Sequence, residues 1–397
     1  MLSLISLLLL SLIANVWAAS PSGGVLVSDE GGRRTYWIGE KLHATLHNVD
    51  IQWKGEWQFS KDTTYWRNNS YYIAFQNHRA GFIISGDNVH IDGHGTGGID
   101  GNGDVWYDED MGTSTEGRPM PFVLWNITDS TVNNFYINQS QFWSLNIMNG
   151  TNLAFENITC SAFSNNAPEG ENWVQNADGF NTMDAYNVTL KNFVYRGGDD
   201  CIAIKPRSFG IAITNITCEG GNGVAIGSLG QYLEDNTVED VVISDAKLIR
   251  YGWDMRWSVY IKTWMGHLVP QDSYESEGEP RGGGWGKVRN LLFSNFELEN
   301  VSRGPYITQD NGNNGSFSGT SKMEISNVVF RNFTGTLKDA ETSRLGDISC
   351  SKVKPCFNIS FEEMHNLEAA AGRCQWTKPG TIFGLPGCGE GDDGDNS

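Results

Sequence analysis

Short runs that alternate apolar and polar residues recur along the chain, each closed by Asn, Asp or Gly. They occupy residues 153–159 (Leu-Ala-Phe-Glu-Asn-Ile-Thr), 188–193, 211–217, 241–244, 291–296 and 328–333. A period of two buries one side of a strand and wets the other. The 3.6-residue period of an amphipathic helix is nearly absent. The early runs lie about one β-solenoid repeat apart and the later ones further, which places inserted loops on particular turns. Stacked coils bury an interior that no single coil can bury alone. The pattern therefore predicts an all-β chain folded as a right-handed parallel β-helix. The competing reading is an antiparallel sandwich, whose hairpins need two-residue Asn-Gly or Asp-Gly turns between paired strands. The Asn-Gly pairs at 102, 149, 311 and 314 fall mostly outside the repeated runs.

Composition adds an address. Residues 1–19 hold a leucine-rich run followed by Val16-Trp17-Ala18-Ala19, which reads as a secretory signal peptide, too short for a comfortable membrane span. Residues 20–388 contain no linker-like stretch and read as one domain; residues 389–397 carry four acids and read as an acidic disordered tail. Seven cysteines in a secreted chain allow up to three disulfides and one leftover thiol. The close pairs Cys201/Cys218, Cys350/Cys356 and Cys374/Cys388 are the natural candidates and leave Cys160, although sequence alone does not fix connectivity. No Cys/His spacing typical of a metal site appears. Eleven Asn-x-Ser/Thr sequons, at Asn68, Asn126, Asn138, Asn149, Asn157, Asn187, Asn215, Asn300, Asn314, Asn332 and Asn358, suit a secreted glycoprotein. Several also read as the grammar of a turn followed by a strand.

The net charge of −19 argues against nucleic acid and anionic membrane as partners. It also repels an anionic polysaccharide, which would have to be held by local Lys and Arg or met at acid pH.

Candidate chemistry lies in the middle of the chain. Asp178 precedes Asp200 by 22 residues and Asn222 follows Asp200 by another 22, a spacing that stacks them on successive coils. Asp199 adjoins Asp200, and clustered carboxylates are what glycosidic bond hydrolysis needs. Alone, Gly-Asp-Asp is as readily a turn or a calcium ligand. Its surroundings are more specific: Asn176-Ala177-Asp178-Gly179, Gly198-Asp199-Asp200-Cys201, Gly221-Asn222-Gly223 and Tyr260-Ile261-Lys262, with Gly97 to Gly103 and Trp106 upstream. In order and spacing this series resembles glycoside hydrolase family 28, the polygalacturonase and rhamnogalacturonase family.

The resemblance implies a parallel β-helix carrying an inverting hydrolase of pectic polysaccharide, monomeric, without metal or organic cofactor. It implies Asp199 as general acid and Asp178 and Asp200 as the pair that holds and deprotonates water. Lys262, Asn222, Tyr260 and Tyr306 fall on substrate-binding positions. Bland readings stand beside these: Asn222 as a turn residue, Lys262 as a solvated lysine, Tyr306 as packing. Among the tryptophans, Trp253, Trp257 and Trp264 lie nearest Lys262 and are the first candidates for sugar stacking, with Trp143, Trp173 and Trp285 further off.

Two departures matter. Asn222 stands where most galacturonases of the family have His, and Tyr260 where they have Arg. Loss of a titratable group and of a bidentate carboxylate partner shifts the expectation toward release of terminal α-L-rhamnose. The alternative is an exo-polygalacturonase that releases terminal galacturonate. The long stretch from Gly252 to Gly286 favours exo action by walling off one end of a cleft. A calcium-dependent pectate lyase and a non-catalytic carbohydrate-binding solenoid are the remaining readings.

Overall fold

Parallel pairing runs the length of the chain in the computed structural model, which describes residues 24–26, 35–252, 255–312, 315–364 and 367–388. The leader-like segment 1–19, the acidic tail 389–397, Trp253 and the sequon at Asn314 lie outside the described residues. The strand Phe122–Asn138 pairs with Leu145–Ser161, and that with Phe180–Arg196, all in parallel register. From there each coil is cut by a corner into two strands. Asp200–Ile204 is followed by Ser208–Glu219, Gly223–Leu229 by Val238–Ile249, and Val259–Trp264 by Trp285–Val301. The architecture is a right-handed parallel β-helix, and the helices among the described residues are short, such as Thr63–Asn69 and Asp104–Asp110.

The bare coil is 23 residues, the separation of the stacked Asn192 and Asn215. Insertions lengthen later coils to 50 residues between Asp240 and Asn290 and to 37 between Asn290 and Asn327. Inside, alternate residues form columns: Phe293, Phe330 and Phe361 follow one another at 5.4 and 5.0 Å, and Phe296 lies on Phe333 at 4.6 Å. Each such aromatic pair adds about 0.5–1.5 kcal/mol beyond its buried area.

Register is also held from outside. At the corners Asn134, Asn157, Asn192 and Asn215 adopt φ between 54° and 57°, a left-handed conformation that asparagine tolerates better than most L residues. Their amides form a ladder: Asn157 donates to Asn134 at 2.8 Å, Asn192 to Asn157 at 2.9 Å and Asn215 to Asn192 at 2.7 Å. Several sequon asparagines, including Asn149, Asn187, Asn332 and Asn358, belong to such ladders, which accounts for the recurrence of Asn-Ile-Thr and its variants.

The structure pairs Cys201 with Cys218, Cys350 with Cys356 and Cys374 with Cys388, and leaves Cys160 free and buried. Cys201–Cys218 closes 17 residues within one coil and fixes the residue next to Asp200; a loop of that length contributes about 3 kcal/mol by chain entropy.

The insertion after Val259–Trp264 has a specific resting place. It folds over a small sheet made of Tyr71–Ile73, His78–Ala80 and Pro119–Met120. Asn77 Nδ2 donates to Tyr274 O at 3.0 Å and Tyr72 OH to Glu277 at 3.0 Å. Gln231 links the two layers, accepting from Gln76 at 2.9 Å and from Arg281 at 3.2 Å.

Candidate active site

Two successive coils bring Asp178, Asp199 and Asp200 together. Gly179 N donates to Asp200 O at 2.9 Å, so the entries to the strands Phe180–Arg196 and Asp200–Ile204 are stacked. The next coil adds Asn222, whose N donates to Asp199 O at 3.0 Å. A register shift at Asp200 to Ile202 sets Asn222 against Asp199 rather than Asp200, one 23-residue coil away. The left-handed turn belongs to Gly221, with φ 78°; a Cβ there would stand 2.1 Å from Asp199 O. Asn222 is thereby free to use its side chain, and Nδ2 donates to Asp199 Oδ1 at 2.8 Å. Asp199 also accepts from Asp200 N on Oδ1 and from Asn176 N on Oδ2, both at 2.9 Å.

Two lysines face the other carboxylates. Lys262 reaches back across two coils to place Nζ 2.8 Å from Asp200 Oδ2. It passes over Gly227, where a Cβ would lie 2.7 Å from Lys262 Cγ. Lys205 Nζ is 3.5 Å from Asp178 Oδ2 and 3.8 Å from the centre of the Trp143 ring.

Electrostatics follow from this burial. Burial pushes the Asp178 carboxyl well above the usual carboxylate range; Lys205 opposes the shift while Asp199 and Asp200 add to it. Asp199 is raised by burial and then by the charge of Asp200, against Lys262 and the donors from Asn176 and Asp200. Burial draws Lys262 down, but Asp200, Tyr260 and Asp199 outweigh it and its ammonium is held above the ordinary range. Lys205 is lowered by burial despite Asp178 and Asp200. Three carboxyls this close do not all ionise, so the cluster keeps a proton where an isolated aspartate has lost it.

Tyr260 and Tyr306 lie in register on adjacent coils, with ring centres 5.4 Å apart, and Trp257 stacks on Tyr260 at 4.2 Å. They form an aromatic platform beside Lys262. Trp264 is buried with Arg281 4.8 Å over its ring, so it belongs to the wall and not to a sugar-binding face. Lys262 is not a solvated surface lysine, its side chain being 15% exposed.

Sequence reasoning missed Lys205 and the part that residues 71–80 play in the wall; it named the 252–286 stretch as a wall and Trp143 only as an outlying stacking candidate. A lysine ending the buried run Asp200–Ile204 was the available signal for the first. Among the described residues no group of three or more His, Cys, Asp or Glu is arranged to hold a metal ion. No helix of the described residues is long and apolar enough to cross a membrane.

Comparison with known proteins extends this picture. The sequence profile of Glycosyl hydrolases family 28 matches residues 41–377. An Aspergillus niger protein named "Putative galacturan 1,4-alpha-galacturonidase C" is 56% identical over 95% of this chain and 90% of its own length. A Neosartorya fischeri protein of the same name is 54% identical over 92% and 87%. The crystal structure of an endo-xylogalacturonan hydrolase from Aspergillus tubingensis shares the fold, with a TM-score of 0.75 over 96% of both chains at 21% identity.

These relatives overturn the expectation of terminal rhamnose release, because the proteins sharing more than half of this sequence are named for galacturonidase action. The missing Arg at Tyr260 does not empty the site of positive groups: Lys205 and Lys262 both stand beside the carboxylates, and Asn222 hydrogen-bonds Asp199. The match across most of the chain and the identity of these relatives place the protein in glycosyl hydrolases family 28, as an O-glycosyl hydrolase.

Proposed function

We propose that the protein attacks galacturonan at a chain end and releases terminal galacturonate with inversion at the anomeric carbon. The closed end of the cleft carries this reading. His78 packs edge-on against Trp143 at 4.6 Å, Trp143 meets Lys205, Lys205 meets Asp178, and residues 265–284 lock the His78 segment from outside. A wall one side chain away from the carboxylates leaves room for a terminal sugar and blocks a chain from running through. The names of the relatives and the two lysines support a sugar that bears a carboxylate.

In this reading Asp199, whose carboxyl burial and the Asp200 charge raise, gives its proton to the leaving glycosidic oxygen as the C–O bond breaks. Asp178 orients the water whose oxygen bonds to the anomeric carbon from the opposite face. Asp200, paired with Lys262, takes the water's proton; its Oδ1 is buried without a hydrogen-bond partner among the described residues and is the acceptor open to that water. Three disulfides support an oxidising, extracellular site of action.

The test is product analysis on trigalacturonate. The expected first products are galacturonate, appearing as the β anomer by NMR, and digalacturonate. Retained configuration, oligomers cut from the interior of longer chains, or no release of galacturonate would sink the reading.

A further inference from the structure

A cleft closed at one end must hold the rest of its polymer at the other, and that open end carries a basic pocket. Beyond Tyr260 the outward column continues in register through Tyr306, Asp347 and Arg373, on rungs about 4.8 Å apart. Beside it opens a cavity of about 570 Å³ whose lining includes Arg303, Tyr306, Lys338, Arg344, Asp347 and Arg373. That volume suits a small-molecule or sugar subsite. Its charge is opposite in sign to the −19 of the molecule.

The acids of this pocket are already engaged. Asp347 is taken bidentately by Arg373, at 3.0 Å on both oxygens. Asp339 accepts from Glu341 N at 3.0 Å and Thr342 N at 3.2 Å. The cations are less committed: Arg344 donates to Ala371 O at 3.2 Å, while Arg303 and Lys338 are exposed and make no ion pair with a described residue. Arg303 stands 5.8 Å over the Tyr306 ring.

We infer that this pocket binds the carboxylates of the retained polymer, the uronate sugars on the leaving-group side of the cut. Tyr306 forms its floor nearest the aspartates, and Arg303, Lys338 and Arg344 are its anion donors. This rests on the terminal galacturonate release proposed above. Guanidinium groups match carboxylates in geometry, and a local positive field draws an anionic chain to an otherwise repelling surface.

The test is steady-state kinetics on di-, tri- and tetragalacturonate for the wild type, Arg303→Ala, Lys338→Ala and the double variant. The double variant is expected to raise KM for the tetramer about tenfold, the scale of two lost charge-assisted contacts, with a smaller factor for the dimer. The change is carried by KM rather than kcat, Arg303→Lys restores part of it, and it narrows in 1 M salt, where the screening length falls to about 3 Å. An equal factor on dimer and tetramer, or no change on either, overturns the subsite. A wild type that releases no galacturonate from any of the three overturns the functional reading instead.

Discussion

The Asp199 carboxyl is held between opposing influences. Three donors, Asp200 N, Asn222 Nδ2 and Asn176 N, favour its ionised form, while burial and the Asp200 charge favour the protonated form and prevail. Asn222→Ala removes one donor and pushes Asp199 further up. The alkaline limb of the kcat/KM profile is then expected to move to higher pH; a limb that stays in place or moves down would break the link between the two residues. Asp199→Asn has no proton to give, and its kcat on the best substrate is expected to fall about 10²–10⁴-fold, with KM changing far less. The positions of the three aspartates were legible in sequence because their spacing is close to one coil. The partner of Asn222 was not, since a count of 22 points to Asp200 and only the register shift beside Asp200 turns it onto Asp199. Lys205 was illegible for a different reason: a lone lysine at a strand end reads as surface, and burial against Trp143 and Asp178 emerges only when coils of unequal length are stacked.

Among the elements, the insertion in the 50-residue coil is the one that the proposed function makes responsible for which substrates enter. Its length was visible in the sequence as a stretched interval between the runs at 241 and 291. Its docking on residues 71–80 was not, because that contact joins segments about 200 residues apart and depends on single polar groups such as Asn77 and Tyr72. Arg281 fastens it: it is 4% exposed, covers Trp264, and donates to Gln231, Ser273 and Glu275. Arg281→Ala leaves these acceptors short of donors at a cost of about 1–3 kcal/mol, enough to loosen the wall without unfolding a solenoid whose core lies elsewhere. Digests of long galacturonan by this variant are expected to contain oligomers beside the monomer expected of the wild type. Monomer alone, at wild-type rate, would show that the wall does not set the mode of attack.

Across the whole molecule, buried carboxyls and surface charge both tie stability to acid. Folding raises Asp178 and Asp199 above their ordinary value of 3.8, chiefly by burial, so at these two groups the folded state binds more protons than the unfolded chain. Stability from these two groups is complete below 3.8 and is lost as pH climbs through their folded values. Asp245, held low by the Asn295 amide, acts in the other direction, losing its contribution only as pH falls below the ordinary carboxylate range. Against an opposite slope from His78 and His43, whose imidazoles burial lowers from 6.5, Asp178 and Asp199 are therefore expected to lower the thermal midpoint toward neutrality. Self-repulsion at a net charge of −19 gives a slope of the same sign, but it acts between exposed groups and is screened by salt, whereas buried carboxyls are screened much less. Melting curves between about pH 5 and pH 7 in 1 M salt separate the two contributions. A slope that persists in salt and flattens in Asp178→Asn assigns the acid preference to the buried aspartate cluster, and a slope that vanishes in salt assigns it to the surface.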